Sequence, residues 1–307
     1  MKRRINLWIL AACCFAAGGM TPLDRPASAA AEGKIPVVAT TTDLADFARQ
    51  VGGDKVDVYC ILKGGDDPHF VRPTPGEQRR LHQARVLFQV GLDLETWAPT
   101  LIEGARNPKL LVQTCSKGMK VLEKYAQGVT PAQGDVHPSG NPHIMHDPTN
   151  AKIAVSNVLA ALIAVAPQHE AYFRQRARTY LQQLDERIAA WKQQMAPCRG
   201  KKIVAYHNSW PYLAAKFGLQ VVGFVEPLPG VPPKGKDLAR LVNLMKAQGV
   251  KVIITEPFYP RATVDSVARQ TGATVVELAG YPGSLKGTET YLQMMEHNLN
   301  VLAAALR

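Results

Sequence analysis

Between Pro167 and Pro197 the chain runs for 28 residues, Gln168 to Met195, without a glycine or a proline. Tyr172, Phe173, Tyr180, Leu181, Leu184, Ile188 and Trp191 recur there at near-helical spacing, so the stretch reads as one helix. At 1.5 Å per residue it is about 42 Å long, more than one small domain accommodates. The text on either side then has to supply separate bodies for it to join.

Both flanks alternate strand and helix. From Ile35 onward "IPVVATT", "VDVYCIL", "VLFQVG" and "KLLVQTC" are short, apolar and β-branched, and helical patterns such as "DLADFARQVGG" and "TPGEQRRLHQA" separate them. After Met195 the pattern restarts with "KKIVAY", "QVVGFV", "VKVIITE" and "TVVEL", again with helices between, and "TETYLQMMEHNLNVLAAAL" closes the chain as a helix. Near-continuous apolar strands alternating with helices imply parallel sheets covered on both faces. The predicted fold class is α/β. An N-terminal α/β domain spans 34–166, a linker helix 167–196 and a C-terminal α/β domain 197–307, with a cleft between the domains. Residues 117–148 lack periodicity and are predicted to be loop, followed by a helix capped by Asp147 or Thr149.

The net charge of +11 raises the question of nucleic acid. The first 29 residues contribute +3 of it, and the rest of the excess is scattered among acidic side chains, as at Asp185, Glu186 and Arg187. No basic block or zinc-finger spacing is present, so the charge reads as solvated surface and no nucleic-acid partner is predicted. No uninterrupted apolar run reaches the roughly 18 residues of a spanning helix.

Residues 1–29 read as an export signal: Lys2, Arg3 and Arg4, then a short apolar stretch from Leu7 to Ala17. Two exits compete. Ala27-Ser28-Ala29 suits signal peptidase, and Leu10-Ala11-Ala12-Cys13 resembles a lipobox that would leave Cys13 lipid-modified. Both predict a location outside the cytoplasm. Cleavage after Ala29 would leave Cys60, Cys115 and Cys198, an odd count with no C-x-x-C, read as buried thiols.

Eight histidines divide by context. His82, His169 and His297 fall in helical patterns beside polar neighbours and are read as surface residues. His69 follows the strand ending at Leu62, His207 follows "KIVAY" directly, and His143 immediately precedes a helix. In parallel sheets, ligands gather beyond the carboxyl ends of the strands, so these three are placed to converge in the interdomain cleft. Imidazole is the commonest neutral-pH metal ligand, and three of them suit zinc. Pro68 and Pro142 stiffen the backbone just before two of the three. Taken alone, each of them reads sooner as a structural loop histidine than as a ligand.

The segments "DDPHFVRPTPGEQRRLHQARVLFQVGLDLETW", "GNPHIMHDPTNA", "VAYHNSWPYLAAKFGL" and "TYLQMMEHNLNVL" resemble the metal-binding periplasmic solute-binding proteins of zinc and manganese ABC transporters, the cluster 9 family. The resemblance runs from about Ile35 to Leu306. It implies two α/β domains bridged by a long helix, three metal ligands at His69, His143 and His207, and zinc rather than manganese because a histidine stands at the third position. It also implies delivery to an ABC-transporter permease in the inner membrane by a monomer with no enzymatic activity.

Two departures from the family pattern stand out. The loop "LAGYPGSLKGTETY" has no aspartate where relatives often carry a fourth ligand. Glu256, ending "VKVIITE", is the candidate replacement, as a direct ligand or as a hydrogen-bond acceptor for a ligand histidine; water is the other candidate. The 117–141 loop carries only His137, so a histidine-rich capture tail is not predicted, and His146, where relatives usually have an apolar residue, is read as a surface histidine ahead of an auxiliary ligand. Two further readings stay open: a hydrolase with an open position on a three-histidine zinc, with Glu256 as its general base, and a surface adhesin whose metal is incidental.

Overall fold

The computed structural model describes residues 33–124, 137–228 and 230–307. The export-signal reading of residues 1–29 and the middle of the 117–148 loop lie outside the described residues.

The predicted strands appear as two four-stranded parallel sheets. The first contains β1 (Ile35–Ala39), β2 (Val56–Cys60), β3 (Val86–Gln89) and β4 (Leu111–Thr114) in the order β2-β1-β3-β4. The second contains β5 (Lys202–Ala205), β6 (Gln220–Phe224), β7 (Val252–Thr255) and β8 (Thr274–Glu277) in the order β6-β5-β7-β8. Every pairing is parallel. Central strands explain the continuous apolar text: all four residues of β7 are buried, because helices cover both faces.

The first sheet carries α1 (Thr42–Gly52), α2 (Pro75–Gln83) and α3 (Ala98–Ala105). The second carries α6 (Pro211–Phe217), α7 (Gly235–Gln248) and α8 (Arg261–Thr271). Local chemistry sets several boundaries. Thr74 and Glu77 form a reciprocal capping box at the start of α2, and Gly218, Gly249 and Gly272 end α6, α7 and α8 in the left-handed conformation.

Three helices tie the lobes together. α4 (Pro148–Val165) is capped by the Asp147 carboxylate, which accepts from Thr149 N at 2.8 Å. This helix has the length and mean hydropathy of a membrane span, yet Ala151, Ala154, Val155, Val158, Ala161 and Leu162 are buried within the protein, so it is accounted for as a core helix. The glycine-free stretch is α5 (Glu170–Met195), entered through a 3-10 turn at Pro167–His169 that takes up the first part of the predicted helix. Its buried stripe is Phe173, Ala177, Tyr180, Leu184, Ile188, Trp191 and Met195. α9 (Tyr291–Leu306) returns from the second sheet to pack on α5 and α1.

One cluster of buried apolar side chains consequently runs from Val37 and Phe47 in the first lobe, through Phe173 and Trp191 of α5, to Ile254 and Leu299 in the second. At its centre the Phe47 ring meets Tyr180 at 6.2 Å and Tyr291 edge-on at 5.0 Å. Polar bonds fasten the same junction: Tyr291 N donates to Asp46 Oδ2 at 2.9 Å, and Trp191 Nε1 donates to Glu296 Oε2 at 2.8 Å. At the cleft edge the two backbones touch. A Cβ on Gly64 would stand 2.4 Å from the carbonyl carbon of Gly283, so only glycine permits that approach.

Candidate metal centre

His69 is held by its own turn. Asp67 precedes a 3-10 turn at Pro68–Phe70, and its Oδ1 accepts from His69 N at 3.0 Å while lying 2.7 Å from His69 Nδ1. A carboxylate at Nδ1 selects the tautomer with its proton there and puts the ring lone pair on Nε2. Burial raises the Asp67 carboxyl, but the hydrogen bonds and charge of His69, with a contribution from His207, bring it below its ordinary value.

His207 lies two residues beyond β5, at the point where the second sheet's order reverses between β5 and β7. Its Nδ1 is 3.1 Å from Glu226 Oε1, which also accepts from Gly230 N at 2.8 Å. Glu226 reaches this place because parallel pairing continues past the strand ends: Val225 N donates to Ala205 O and Glu226 N to Tyr206 O, each at 2.9 Å.

His143 stands before the short turn Ile144–His146 that leads into α4, and its backbone N–H donates to Asn141 Oδ1 at 3.0 Å. Burial, and then the neighbouring imidazoles of His69, His207, His146 and His137, hold His143 well below its ordinary value, so it is neutral. Its Nε2 is buried with no hydrogen-bond partner, which is costly for a nitrogen lone pair unless something electrophilic occupies the space before it.

The three rings form a nearly equilateral triangle. Centroids are 5.2 Å apart for His69 and His143, 5.6 Å for His69 and His207, and 5.5 Å for His143 and His207. One nitrogen from each lies within 4.8 Å of the other two. All three residues are buried, two brought by loops of the first lobe and one by the second sheet.

Glu256 directly follows β7 and is 1% exposed, outside the group of three. Burial pushes its carboxyl up to about 8; Ser209 and Trp210, which face it, pull it back, and the charges of Asp67 and Glu226 push it further up. Its Cγ lies 3.5 Å from where a Cβ on Gly280 would be, so Glu256 packs under the very loop that lacks the aspartate.

Two other histidines lie close by. The His146 ring is not on the surface as the sequence reading had it. It is 3% exposed and stacked on Trp210 at 4.2 Å, which the sequence hid because the partner is 64 residues away. His137 is also buried, its ring 5.1 Å from that of His69 and its Nδ1 3.2 Å from the Asp93 carbonyl. By contrast, His82 is exposed and bonds the Ala105 carbonyl, while His169 and His297 are partly exposed and lie away from the site. Cys60, Cys115 and Cys198 are free thiols; Cys115 and Cys198 are buried, and Cys60 is partly so.

Sequence reasoning passed over Asp67 and Glu226. Asp67 was legible, since an acid two residues before a histidine readily caps its backbone N–H. Glu226 required knowing that β5 and β6 are neighbours.

A family model described as "Zinc-uptake complex component A periplasmic" matches residues 37–305. The chain belongs to the ZnuA family. Among curated ZnuA relatives, the high-affinity zinc uptake system protein of Bacillus subtilis is 24% identical over 314 residues, covering 99% of this chain and 98% of its own. A solved ZnuA structure superposes with a TM-score of 0.77 at 20% identity, covering 90% of this chain and all of that one. The laminin-binding adhesin of Streptococcus agalactiae, in a mutant structure, superposes at 0.76 with 24% identity, covering 89% of this chain and all of that one. The α/β architecture with its long helix is therefore the fold of ZnuA proteins. The protein is an extracytoplasmic solute-binding component of metal uptake, a role that the hydrolase alternative does not share.

Proposed function

We propose that His69, His143 and His207 capture one divalent metal ion, zinc in preference to manganese, and that the loaded protein delivers it to an ABC-transporter permease in the inner membrane. The observation that carries this reading is the triangle of buried imidazoles, two of whose Nδ1 atoms face carboxylates. Zinc–nitrogen bonds of about 2.0–2.1 Å place tetrahedral ligand atoms roughly 3.4 Å apart, so small inward movements from the present spacing suffice. An all-nitrogen set from histidine suits zinc, whereas manganese favours oxygen donors. The names of relatives agree: zinc uptake in Bacillus subtilis and zinc binding in Streptococcus pyogenes.

Glu256 takes the role of a buried partner to the site, with water completing the coordination. The geometry supports this: the nitrogens of His69, His143 and His207 group together without Glu256, which suits a partner to the ligands and not a ligand. The protein works as a carrier and not as an enzyme, a reading that the match to the zinc-uptake family supports. It acts as a monomer outside the cytoplasm, with residues 1–29 as its address.

Elemental analysis of untagged protein should give about one zinc per chain, and chelator-competition titration should show that His69→Ala, His143→Ala and His207→Ala each lose tight binding. Retention of tight zinc by any two of these variants would overturn the site.

A further inference from the structure

A network of polar bonds crosses the cleft immediately beside the histidines, and Asn141 is its centre. Every polar group of this residue, which is 6% exposed, is engaged. Its Oδ1 accepts from His143 N at 3.0 Å. Its Nδ2 donates to the Asn208 carbonyl at 2.8 Å and to Glu123 Oε2 at 3.0 Å. Its backbone N–H donates to the Leu122 carbonyl at 3.0 Å, and its carbonyl accepts from Tyr212 Oη at 2.8 Å.

The partners close the ring. Asn208 Nδ2 donates to the same Glu123 Oε2 at 2.7 Å, and Tyr212 Oη accepts from Leu122 N at 2.9 Å. Leu122, Glu123 and Asn141 come from the loop that leaves the first sheet after β4. Asn208 follows His207 directly, and Tyr212 lies in α6 of the second lobe. Glu123 sits at φ 53, in the left-handed region that a residue with a side chain enters when its surroundings hold it there.

We propose that Asn141, Glu123, Asn208 and Tyr212 form an interlobe clasp that keeps the His143 and His207 halves of the site in register, and so sets how slowly captured metal leaves. The inference rests on the metal-site reading above. These are positioning residues: none belongs to the nitrogen triangle, but one bond ends on the backbone of His143 and another on the carbonyl next to His207. Asparagine suits the centre because one acceptor and two donors are needed there. Aspartate would keep the bond to His143 N, lose both donors and set a second carboxylate against Glu123. Registration matters because a tetrahedral site tolerates little error between ligands carried by separate bodies, and outer partners of metal ligands typically change affinity about 10- to 100-fold.

The test is zinc release into excess chelator, followed by stopped flow, for the wild type, Tyr212→Phe, Asn208→Ala and Asn141→Ala, with melting of each metal-free protein alongside. Tyr212→Phe removes two bonds across the cleft and keeps the buried ring, so it remains informative if Asn141→Ala fails to fold. Zinc should leave Tyr212→Phe and Asn208→Ala roughly 10-fold faster than wild type. Asn208→Ala is then repeated in a His207→Ala background, where weak binding by the first lobe alone has no second half to register; no further acceleration is expected there. Wild-type release rates in all three clasp variants would overturn the clasp and leave the three-histidine site standing. The same acceleration with and without His207 would reduce the clasp to general loosening and also overturn it. A wild-type protein that holds no zinc would sink the metal-site reading itself.

Discussion

Glu226 Oε1 sits 3.1 Å from His207 Nδ1, at the carboxyl end of the strand next to the one that delivers the histidine. Neighbouring parallel strands therefore present the proposed ligand and a carboxylate that orients its ring side by side. The pair fixes the ring and leaves Nε2 to face the triangle. Asp67 does the same for His69 from within a single turn, at 2.7 Å.

Glu226→Ala should weaken zinc binding by about 10- to 100-fold, because the ring loses its orienting acceptor. Glu226→Gln retains a carbonyl acceptor and should fall between Ala and wild type. Competition titration checks the order; a Glu226→Ala protein with wild-type affinity would show that His207 is held by packing alone.

His207→Glu should lower affinity for zinc and raise that for manganese relative to it, since a hard oxygen replaces a borderline nitrogen. The ratio of the two dissociation constants is the readout, and an unchanged ratio would place residue 207 outside the coordination shell.

Glu256→Gln gives two readouts. Its zinc affinity should lie nearer wild type than that of His69→Ala; equal defects would promote Glu256 to a direct ligand. The second readout is a pH dependence of wild-type stability that the substitution removes. The folded carboxyl holds its proton to about 8 and the unfolded one only to about 4.5, so the folded state binds the extra proton between those values. This contribution is full below pH 4.5 and lost as pH rises through 8. Metal-free Glu256→Gln should therefore match wild type near pH 4.5 and melt higher above pH 8, by a difference on the order of 4 kcal/mol.

His146 titrates with the opposite consequence. Burial alone lowers it to about 3 from 6.5, so its neutral form stabilises the fold above pH 6.5, and that stability is lost as pH falls toward 3. His146→Phe keeps a ring to stack on Trp210 and removes the buried base. Relative to wild type, the metal-free variant should lose less stability between pH 6.5 and 3, by on the order of 4–5 kcal/mol at the acid end. Parallel melting curves for the two proteins across that range would contradict the assignment.

Local sequence pattern encodes part of this architecture. β7 is legible because both its faces are buried, and α5 because its apolar spacing persists for seven turns without a breaker. His207 is legible because it lies two residues beyond a strand, and His69 because it lies in the loop after one, behind a stiffening proline. The relationships that needed the fold are those across the chain: Glu226 beside His207, Trp210 under His146, and Glu123 reaching both Asn141 and Asn208. Nothing within ten residues of His146 reveals the indole that covers it.

The unbroken run of buried side chains from Phe47 through Tyr180 to Tyr291 bears on how this molecule comes apart. With α9 of the second lobe seated on α1 of the first, loosening either sheet strips the packing from both. Heating should therefore produce one sharp transition, and a protease should find no waist at which to separate two surviving halves. Neither half of the histidine triangle outlasts the other, so the proposed metal should be lost in the same step as the fold.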